Sequence, residues 1–326
     1  MEKLAKGILI GSGIAAVSTA AVIGITQVTS DYFVRLAMDR TGAPLFENRM
    51  GKLSGSPLTP EVKAQLRQKA QQLSMHCVDV RMQTSDGLNL VGHWRECADA
   101  KRVIMAMHGW RSDWARDFGM IADFWHNNGS SVLYPEQRGQ GNSEGQYIGF
   151  GMLERHDCRE WIDWVNRKTG GKLPIYLAGI SMGATTVLMT TGMELPENVH
   201  GVIADCGFTS ADAIWHHVAE KNLHINYRFH AASANDGCRK RLMIDAKEYT
   251  TLDAMAECEV PVLFIHGTDD KFVPVEMTYE NYKACNAPKY LLVVPGANHG
   301  MSYRVDRAGY ENAVLEFWKR YDKRHA

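Results

Sequence analysis

The chain has 326 residues, of which 45% are hydrophobic and 22% charged, and its formal net charge is −1. This composition is ordinary for a globular enzyme, and the balanced charge gives no electrostatic reason to expect a nucleic-acid partner. Its seven cysteines include no C-x-x-C pair and cannot all pair within one chain, which favours small buried thiols over a disulfide-built scaffold.

The N-terminal region is the one place where the composition changes sharply. Residues 7–30 contain no charged side chain and follow Lys3 and Lys6. Such a run suits a helix across a hydrocarbon core of about 30 Å. We therefore predict an N-terminal membrane anchor over residues 1–30. A signal peptide that is cleaved before secretion is the alternative. The lysines favour a catalytic domain outside the cytoplasm, although Arg35 and Arg40 weaken the charge asymmetry.

The same segment contains Gly11-Ser12-Gly13, part of a glycine pattern seen in dinucleotide-binding turns. That fingerprint needs a second strand ending in an acidic residue about 20 positions later. Here the apolar run simply continues, so we expect no cofactor. Residues 31–75 are interpreted as a connector, with a helix that starts at Thr59-Pro60.

From residue 76 to residue 326, short apolar runs alternate with helical patterns at the spacing of βαβ units. We predict an α/β fold with a mostly parallel eight-stranded sheet, helices on both faces, and a helical cap inserted at about residues 209–258. The predicted strands are Val78–Met82, Leu88–Trp94, Val103–Met107, Ser131–Tyr134, Ile175–Ala178, Val202–Ala204, Val262–Ile265 and Tyr290–Val294. The predicted helices are Phe118–Asn127, Leu153–Lys168, Met182–Met193, Glu276–Ala284 and Glu311–Arg320.

The segment Gly179-Ile180-Ser181-Met182-Gly183 lies between a predicted strand and a predicted helix. This is the context of a nucleophile elbow, in which a tight turn exposes the serine hydroxyl. The flanking glycines let the strand and the helix approach each other closely. Ser181 is therefore the candidate nucleophile.

A serine hydroxyl needs a base and an acid that orients the base, and in this strand–helix arrangement both follow the serine along the chain. His299 follows the last predicted strand in a small-residue loop and is the candidate base. Asp269 and Asp270 follow the preceding strand, and Asp269 could instead form a turn. Asp205 lies too early in the strand order and is interpreted as structural. The histidines show no metal-ligand spacing, so we expect no metal.

Acyl transfer also needs two donors for the developing oxyanion. The backbone N–H of Met182, which follows the nucleophile, is one of them. The second must come from the loop after the strand Val103–Met107, where the N–H of Trp110 is the candidate. The Trp110 indole could line an acyl pocket or only pack.

Five segments occur in the order typical of one superfamily: HGW at 108–110, PEQRGQGNSEG at 135–145, GISMG at 179–183, HGTDDKFVP at 266–274 and GANHG at 296–300. Together they resemble the α/β-hydrolase superfamily, in particular its bacterial membrane-anchored or secreted esterases and peptidase-like hydrolases. The resemblance implies a triad of Ser181, Asp270 and His299. Glu136 departs from the usual Asp of its segment, which we interpret as structural.

These residues predict a serine hydrolase without a cofactor, and we favour a small-molecule carboxylic ester as its substrate. Aromatic side chains of the cap, together with Trp110, could form an apolar pocket: Trp215, Tyr227 and Phe229. A peptidase or an acyltransferase would use the same triad, because a fold does not determine the substrate. A hydrolase-fold protein that only binds a ligand is the alternative from another class. The oligomeric state and the natural substrate stay open.

Overall fold

The computed structural model describes residues 26–41 and 58–322. The glycine pattern at Gly11–Gly13 and most of the apolar segment predicted as an anchor lie outside these residues. Within the two described ranges, no helix is both long enough and apolar enough to cross a membrane.

A single eight-stranded sheet forms the centre of the described chain, with the order β1-β2-β4-β3-β5-β6-β7-β8. Strands β1 and β2 are antiparallel to their neighbours, and β3 to β8 are parallel. All eight predicted strands are confirmed, with ends shifted by a few residues. The strands are β1 (Val78–Gln83), β2 (Asn89–Arg95), β3 (Arg102–Met107), β4 (Ser130–Pro135), β5 (Ile175–Ile180), β6 (Val199–Asp205), β7 (Val262–Gly267) and β8 (Lys289–Val294).

Helices cover both faces of the sheet, as expected when parallel strands are apolar on both sides. The first helix, α1, occupies residues 26–38. The others are α2 (Pro60–Ser74), α3 (Trp114–Phe118), α4 (Ala122–Asn127), α5 (Glu154–Thr169), α6 (Met182–Thr190), α7 (Ala211–His217), α8 (Ala231–Leu242), α9 (Thr251–Glu257), α10 (Val275–Ala284), α11 (Ser302–Val305) and α12 (Arg307–Tyr321).

The sequence prediction of one helix over Phe118–Asn127 is wrong, because the structure contains two short helices, α3 and α4. They separate at Gly119, where α2 passes very close. A Cβ at Gly119 would lie 2.6 Å from the carbonyl oxygen of Ala115 and 2.8 Å from the carbonyl carbon of Lys69. Close packing against α2 therefore overrides the continuous helical pattern of the sequence.

The insertion between β6 and β7 is helical, and it covers the carboxyl end of the sheet. It contains α7, a π-helical turn at Val218–Asn222, a short 3-10 turn at Tyr227–Phe229, α8 and α9. Its apolar side chains join a third hydrophobic cluster, separate from the two clusters that lie on the faces of the sheet. The cap thus closes over the end of the sheet where the loops after the strands meet.

Helix α1 packs into this third cluster, although residues 31–75 were interpreted as a connector. Val34 and Met38 are 3% and 0% exposed, respectively. The Nδ1 of His230 lies 2.8 Å from the Oγ of Ser30, and the Arg241 guanidinium binds the carboxylate of Asp39. The first described residues are therefore joined to the cap by apolar packing and by polar contacts.

The segment PEQRGQGNSEG forms a polar turn beside β2. Glu136, which stands where the family segment usually has Asp, stabilises this turn. The Glu136 carboxylate accepts hydrogen bonds from the Nε2 of His93 at 2.9 Å and from Asn142. Arg138 binds the carboxylate of Asp157 through two nitrogens, at 2.5 and 2.6 Å. Both partners of that ion pair are nearly inaccessible to solvent.

Removing one partner of a buried ion pair leaves an uncompensated charge, so Arg138→Met should reduce the free energy of unfolding by about 3–5 kcal/mol. Chemical denaturation measures this loss. Lys240→Ala, which breaks the exposed pair with Asp236 on α8, is the matched control and should cost about 0.5 kcal/mol or less. Equal losses in the two variants would contradict the structural importance of the buried pair.

Candidate active site

Ser181 occupies the sharp turn between β5 and α6 with φ of 55° and ψ of −120°, an unfavourable conformation for a non-glycine residue. Its N–H donates to the carbonyl of Asp205 at 2.9 Å, which fixes the turn against β6. At Gly183 a Cβ would lie 1.9 Å from the carbonyl oxygen of Met107, so only glycine fits there. This close packing holds the hydroxyl of Ser181 at the carboxyl end of the sheet.

The three predicted triad side chains come together at this point. The Oγ of Ser181 lies 2.9 Å from the Nε2 of His299, and the Nδ1 of His299 lies 2.6 Å from the Oδ2 of Asp270. A carboxylate only accepts hydrogen bonds, so Nδ1 carries the proton and Nε2 is left to accept the serine proton. The arrangement is that of a nucleophile, a base and an orienting acid.

Asp270 is held more firmly than the sequence indicated. Its Oδ1 accepts the backbone N–H groups of Phe272 and Val273, each at 2.9 Å. The fully buried His266 places its Nε2 3.2 Å from the Oδ2 of Asp270. Asp269, the alternative acid, is exposed and accepts the hydroxyl of Thr268 instead.

Asp205, which was interpreted as structural, lies at the end of β6 and accepts the hydroxyl of Ser302 at 3.1 Å. Burial raises the pKa of Asp205 to about 6, against the opposing effect of His266. The carboxylate of Asp270, not that of Asp205, is within hydrogen-bond distance of the imidazole of His299.

The charges of the acid and the base reinforce each other. Burial disfavours the charged imidazole of His299. The attraction of the Asp270 carboxylate is stronger than this effect and raises the pKa of His299 well above its usual value. Burial likewise disfavours the charged Asp270, but His299 and His266 hold the pKa of that carboxyl well below its usual range. These contacts favour the ionised form of Asp270, and its negative charge in turn favours a protonated His299.

Among the described residues, one group of side chains could in principle hold a metal ion. It consists of Cys206, Asp270 and His299, whose ligand atoms lie within 4.8 Å of one another. Both nitrogens of His299 are already in hydrogen bonds with Asp270 and Ser181. Burial raises the pKa of the Cys206 thiol to about 11, whereas metals bind the thiolate. These properties favour a hydrogen-bonded triad over a metal centre.

In the loop after β3, both backbone N–H groups that flank Trp110 are already hydrogen-bonded. The N–H of Gly109 donates to the carboxylate of Asp117 at 2.8 Å, and the N–H of Arg111 donates to the Oε1 of Gln140 at 2.6 Å. The N–H of Trp110, between them, donates to none of the other described residues. Met182, the first residue of α6, also has an N–H outside the helical ladder. These are the two predicted donors.

Two cavities meet at Ser181. The first is a groove of about 930 Å³ that includes His299 and Asn298. The second is an apolar cavity of about 120 Å³ between α1 and the cap. The side chains that enclose the second cavity include Phe33, Val34, Trp110, Phe150, Trp215 and Tyr227.

Among the aromatic residues predicted to bind substrate, Trp110, Trp215 and Tyr227 line the apolar cavity. The prediction is wrong for Phe229, whose side chain is 70% exposed at the outer surface of the 3-10 turn. The Trp110 indole lines the cavity and also donates to the carbonyl of Ala37 at 2.8 Å. The indole therefore packs against α1 and also lines this cavity, whereas its part in an acyl pocket stays a prediction.

Sequence reasoning missed three features of the site. His266 stands directly before Gly267 in HGTDD, so its position at the strand end was a usable signal. Cys206 follows β6 directly but was interpreted as a buried hydrophobe. Helix α1 was hidden because its first residues, 26–30, continue the uncharged run of the N-terminus.

The comparisons with known proteins agree with this fold. The family model described as serine aminopeptidase, S33, matches residues 98–232. The protein YqkD of Bacillus subtilis is 32% identical over 193 residues, which are 58% of this chain and 62% of YqkD. The chain thus aligns with about three fifths of the length of that relative. WAV2 of Arabidopsis thaliana, an α/β-hydrolase domain-containing protein, is 23% identical over 91% of this chain and 96% of its own.

Solved structures show the same architecture. An esterase of Pyrococcus furiosus superposes with a TM-score of 0.61 at 23% identity, covering 77% of this chain and 95% of the esterase. An acylaminoacyl peptidase of Pyrococcus horikoshii superposes with a TM-score of 0.57 at 17% identity, covering 77% and 42%. The sheet order and these structures together show that the chain has the α/β-hydrolase fold.

Proposed function

We propose that this protein is a serine hydrolase that cleaves carboxylic esters through an acyl-enzyme on Ser181. The observation that carries the proposal is the continuous hydrogen-bonded chain from Ser181 through His299 to Asp270, at 2.9 and 2.6 Å. A hydroxyl held in this way transfers its proton to the imidazole as it attacks a carbonyl carbon. The N–H groups of Trp110 and Met182 then stabilise the oxyanion.

The two cavities give the substrate a direction. The protonated His299 must donate its proton to the leaving group, so the leaving group belongs on the side of the groove that contains His299. The apolar cavity on the opposite side does not include His299 among its lining residues. The acyl chain therefore belongs in the apolar cavity, and the alcohol belongs in the groove.

The size of the apolar cavity indicates a short acyl chain. An apolar cavity of about 150 Å³ holds a benzene ring, so the cavity of about 120 Å³ has room for roughly four to six carbon atoms. Its walls are almost wholly apolar, which favours an uncharged chain. The groove is large enough for a much bulkier alcohol.

An aminopeptidase, by contrast, needs a carboxylate that receives the substrate ammonium group. Among the described residues that line the two cavities, the carboxylates are those of Asp117 and Asp205. Asp117 already accepts Gly109 and Ser112, and Asp205 accepts Ser302. The lining therefore supports a neutral acyl group better than a free amino terminus.

The proposal is tested by a p-nitrophenyl ester series from acetate to dodecanoate together with fluorophosphonate labelling. Each methylene that enters the cavity contributes about 0.8 kcal/mol, so kcat/KM should rise roughly fourfold per carbon up to about six carbons and then fall. Ser181→Ala should abolish labelling and turnover. Cleavage of aminoacyl p-nitroanilides in preference to esters would favour the peptidase, and an unlabelled, inactive wild type would favour a binding protein.

The pH profile gives an independent test. His299 acts as a base only when neutral, and its pKa lies above the usual value of about 6.5. The acidic limb of kcat/KM should therefore lie above pH 6.5, with activity rising as pH increases through it. Asp270→Asn removes the charge that raises this pKa, so the limb should move to lower pH and kcat should fall on the order of 10⁴-fold. An unchanged limb in Asp270→Asn would contradict the role of Asp270.

We also propose that the N-terminal apolar segment anchors the enzyme in a membrane, with the catalytic domain outside the cytoplasm. Because residues 26–30 belong to α1, residues 7–25 are the part of the sequence available for a span.

The full chain should resist carbonate extraction from membranes. Ile14→Arg should release it, because a central arginine costs about 2.5–3.5 kcal/mol, whereas Ile14→Leu should not. An N-terminally shortened protein in the soluble fraction would favour the secreted alternative, and protease accessibility on intact cells reports the side.

A further inference from the structure

Helix α1 ends at the loop that carries the oxyanion donor Trp110. The last four carbonyls of a helix have no partner within the helix and must be satisfied elsewhere. In α1 they are all accounted for: Arg35 accepts the N–H of Asp39, and Met38 accepts the N–H of Ile148. Leu36 and Ala37 accept side chains of the oxyanion loop, as the next contacts show.

Two consecutive loop residues cap the end of α1. The Nε1 of Trp110 donates to the carbonyl of Ala37 at 2.8 Å, and the Nη2 of Arg111 donates to the carbonyl of Leu36 at 3.0 Å. The same guanidinium also donates to the carbonyls of Asp39 and Arg40. A fixed cation at a helix C-terminus is favoured by the helix dipole as well as by the hydrogen bonds.

Arg111 adopts an unfavourable backbone conformation to make these contacts, with φ of 48°. A non-glycine residue in this region costs about 1 kcal/mol or more and persists only where surrounding contacts hold it. The backbone turn at Arg111 directly follows the N–H of Trp110. The contacts of the guanidinium with α1 therefore stabilise the loop conformation that aims this N–H at the reacting carbonyl.

Helix α1 also forms one wall of the apolar cavity. Phe33 and Ala37 lie one helical turn apart and both line the cavity, together with Val34. The side of α8 that faces them is closely packed: a Cβ at Gly237 would lie 2.9 Å from the Val34 side chain. The cavity thus lies between α1 and the cap, next to Ser181.

We propose that α1 is an integral part of the active site. Arg111 is a positioning residue that fastens the oxyanion loop to the C-terminal end of α1, and Ala37 limits the length of the acyl chain. This inference rests on the proposed esterase function. According to this inference, the helix that follows the apolar N-terminus affects both the rate of the reaction and the choice of acyl chain.

The test of positioning compares kcat and KM for p-nitrophenyl butanoate in the wild type, Arg111→Ala and Arg111→Lys. Loss of a donor from an oxyanion hole lowers kcat by about 10²–10³-fold. In Arg111→Ala the Trp110 N–H would be misplaced rather than removed, so kcat should fall by about 10- to 100-fold. KM should change by less than about twofold. Arg111→Lys should recover part of the loss, since an ammonium group reaches fewer of the carbonyls. Affinity for a trifluoromethyl ketone with the same acyl chain should fall in parallel with kcat, because this inhibitor forms the oxyanion on Ser181.

Arg159→Ala is the matched control. Arg159 also donates to a backbone carbonyl, that of Glu194 at 2.7 Å, but it lies on α5, away from both cavities. Its kcat and inhibitor affinity should equal those of the wild type. If Arg111→Ala lowers only the melting temperature and keeps the wild-type kcat and inhibitor affinity, Arg111 is merely structural and the positioning proposal is overturned.

The test of specificity uses the ester series with Ala37→Leu. The added carbons occupy the cavity while the backbone carbonyl of residue 37 stays in place, so the optimal chain should shorten by about two carbons with acetate still cleaved. Gln27→Leu, at an exposed position of the same helix, should leave the optimum unchanged. An unchanged optimum in Ala37→Leu overturns the role of Ala37 in chain length.

If the wild type neither hydrolyses esters nor reacts with a fluorophosphonate, the esterase function itself fails. An active wild type with unaffected variants overturns the inference about α1 alone.

Discussion

The active site depends on one strained residue that is held in place by close backbone packing. Ser181 adopts positive φ at the turn between β5 and α6, and nothing in its own side chain makes that conformation favourable. The packing of Gly183 against the carbonyl of Met107 and the hydrogen bond from Ser181 to Asp205 hold the turn. These contacts come from β3, α6 and β6, so the core of the sheet, and not a loop, fixes the position of the candidate nucleophile.

Electrostatics then specify the site around that fixed point. Asp270 would be costly to bury as an isolated charge, but two backbone N–H groups and two histidines surround it. Because the carboxylate stays ionised, it keeps the proton of His299 on Nδ1 and leaves Nε2 for the serine. The proposed roles of the three groups thus follow from how one buried acid is hydrogen-bonded.

The sequence was sufficient for the parts of the structure that are specified locally. Strands β3 to β8 were readable because parallel strands are continuous apolar runs, and the elbow was readable because Gly179 and Gly183 flank Ser181 between a strand and a helix. Asp270 and His299 follow the ends of their strands, so topology alone brings them to one edge of the sheet. The choice of Asp270 over Asp269 needed the resemblance to a family, whereas the structure shows its physical reason in the N–H groups of Phe272 and Val273.

What the sequence did not reveal depends on contacts between distant segments. Gly119 ends a helix because α2 lies against it, and Phe229 faces solvent because the cap turns at that point. Neither fact has a local signal in the pattern of hydrophobic residues. The cavity beside Ser181 is the clearest case, because α1 and the cap are separated along the chain by most of the sheet.

The position of α1 places two structural requirements on one short helix. One side of it must cap and line the site, through Leu36, Ala37 and Val34, and its start continues an uncharged run that is proposed to enter a membrane. A membrane tether of the kind proposed would pull on the helix end to which both side-chain donors of the oxyanion loop are bonded. A link of this kind requires no separate regulatory domain: the hydrogen bonds that satisfy the carbonyls of α1 are the ones that hold the loop of Trp110 and Arg111 in place.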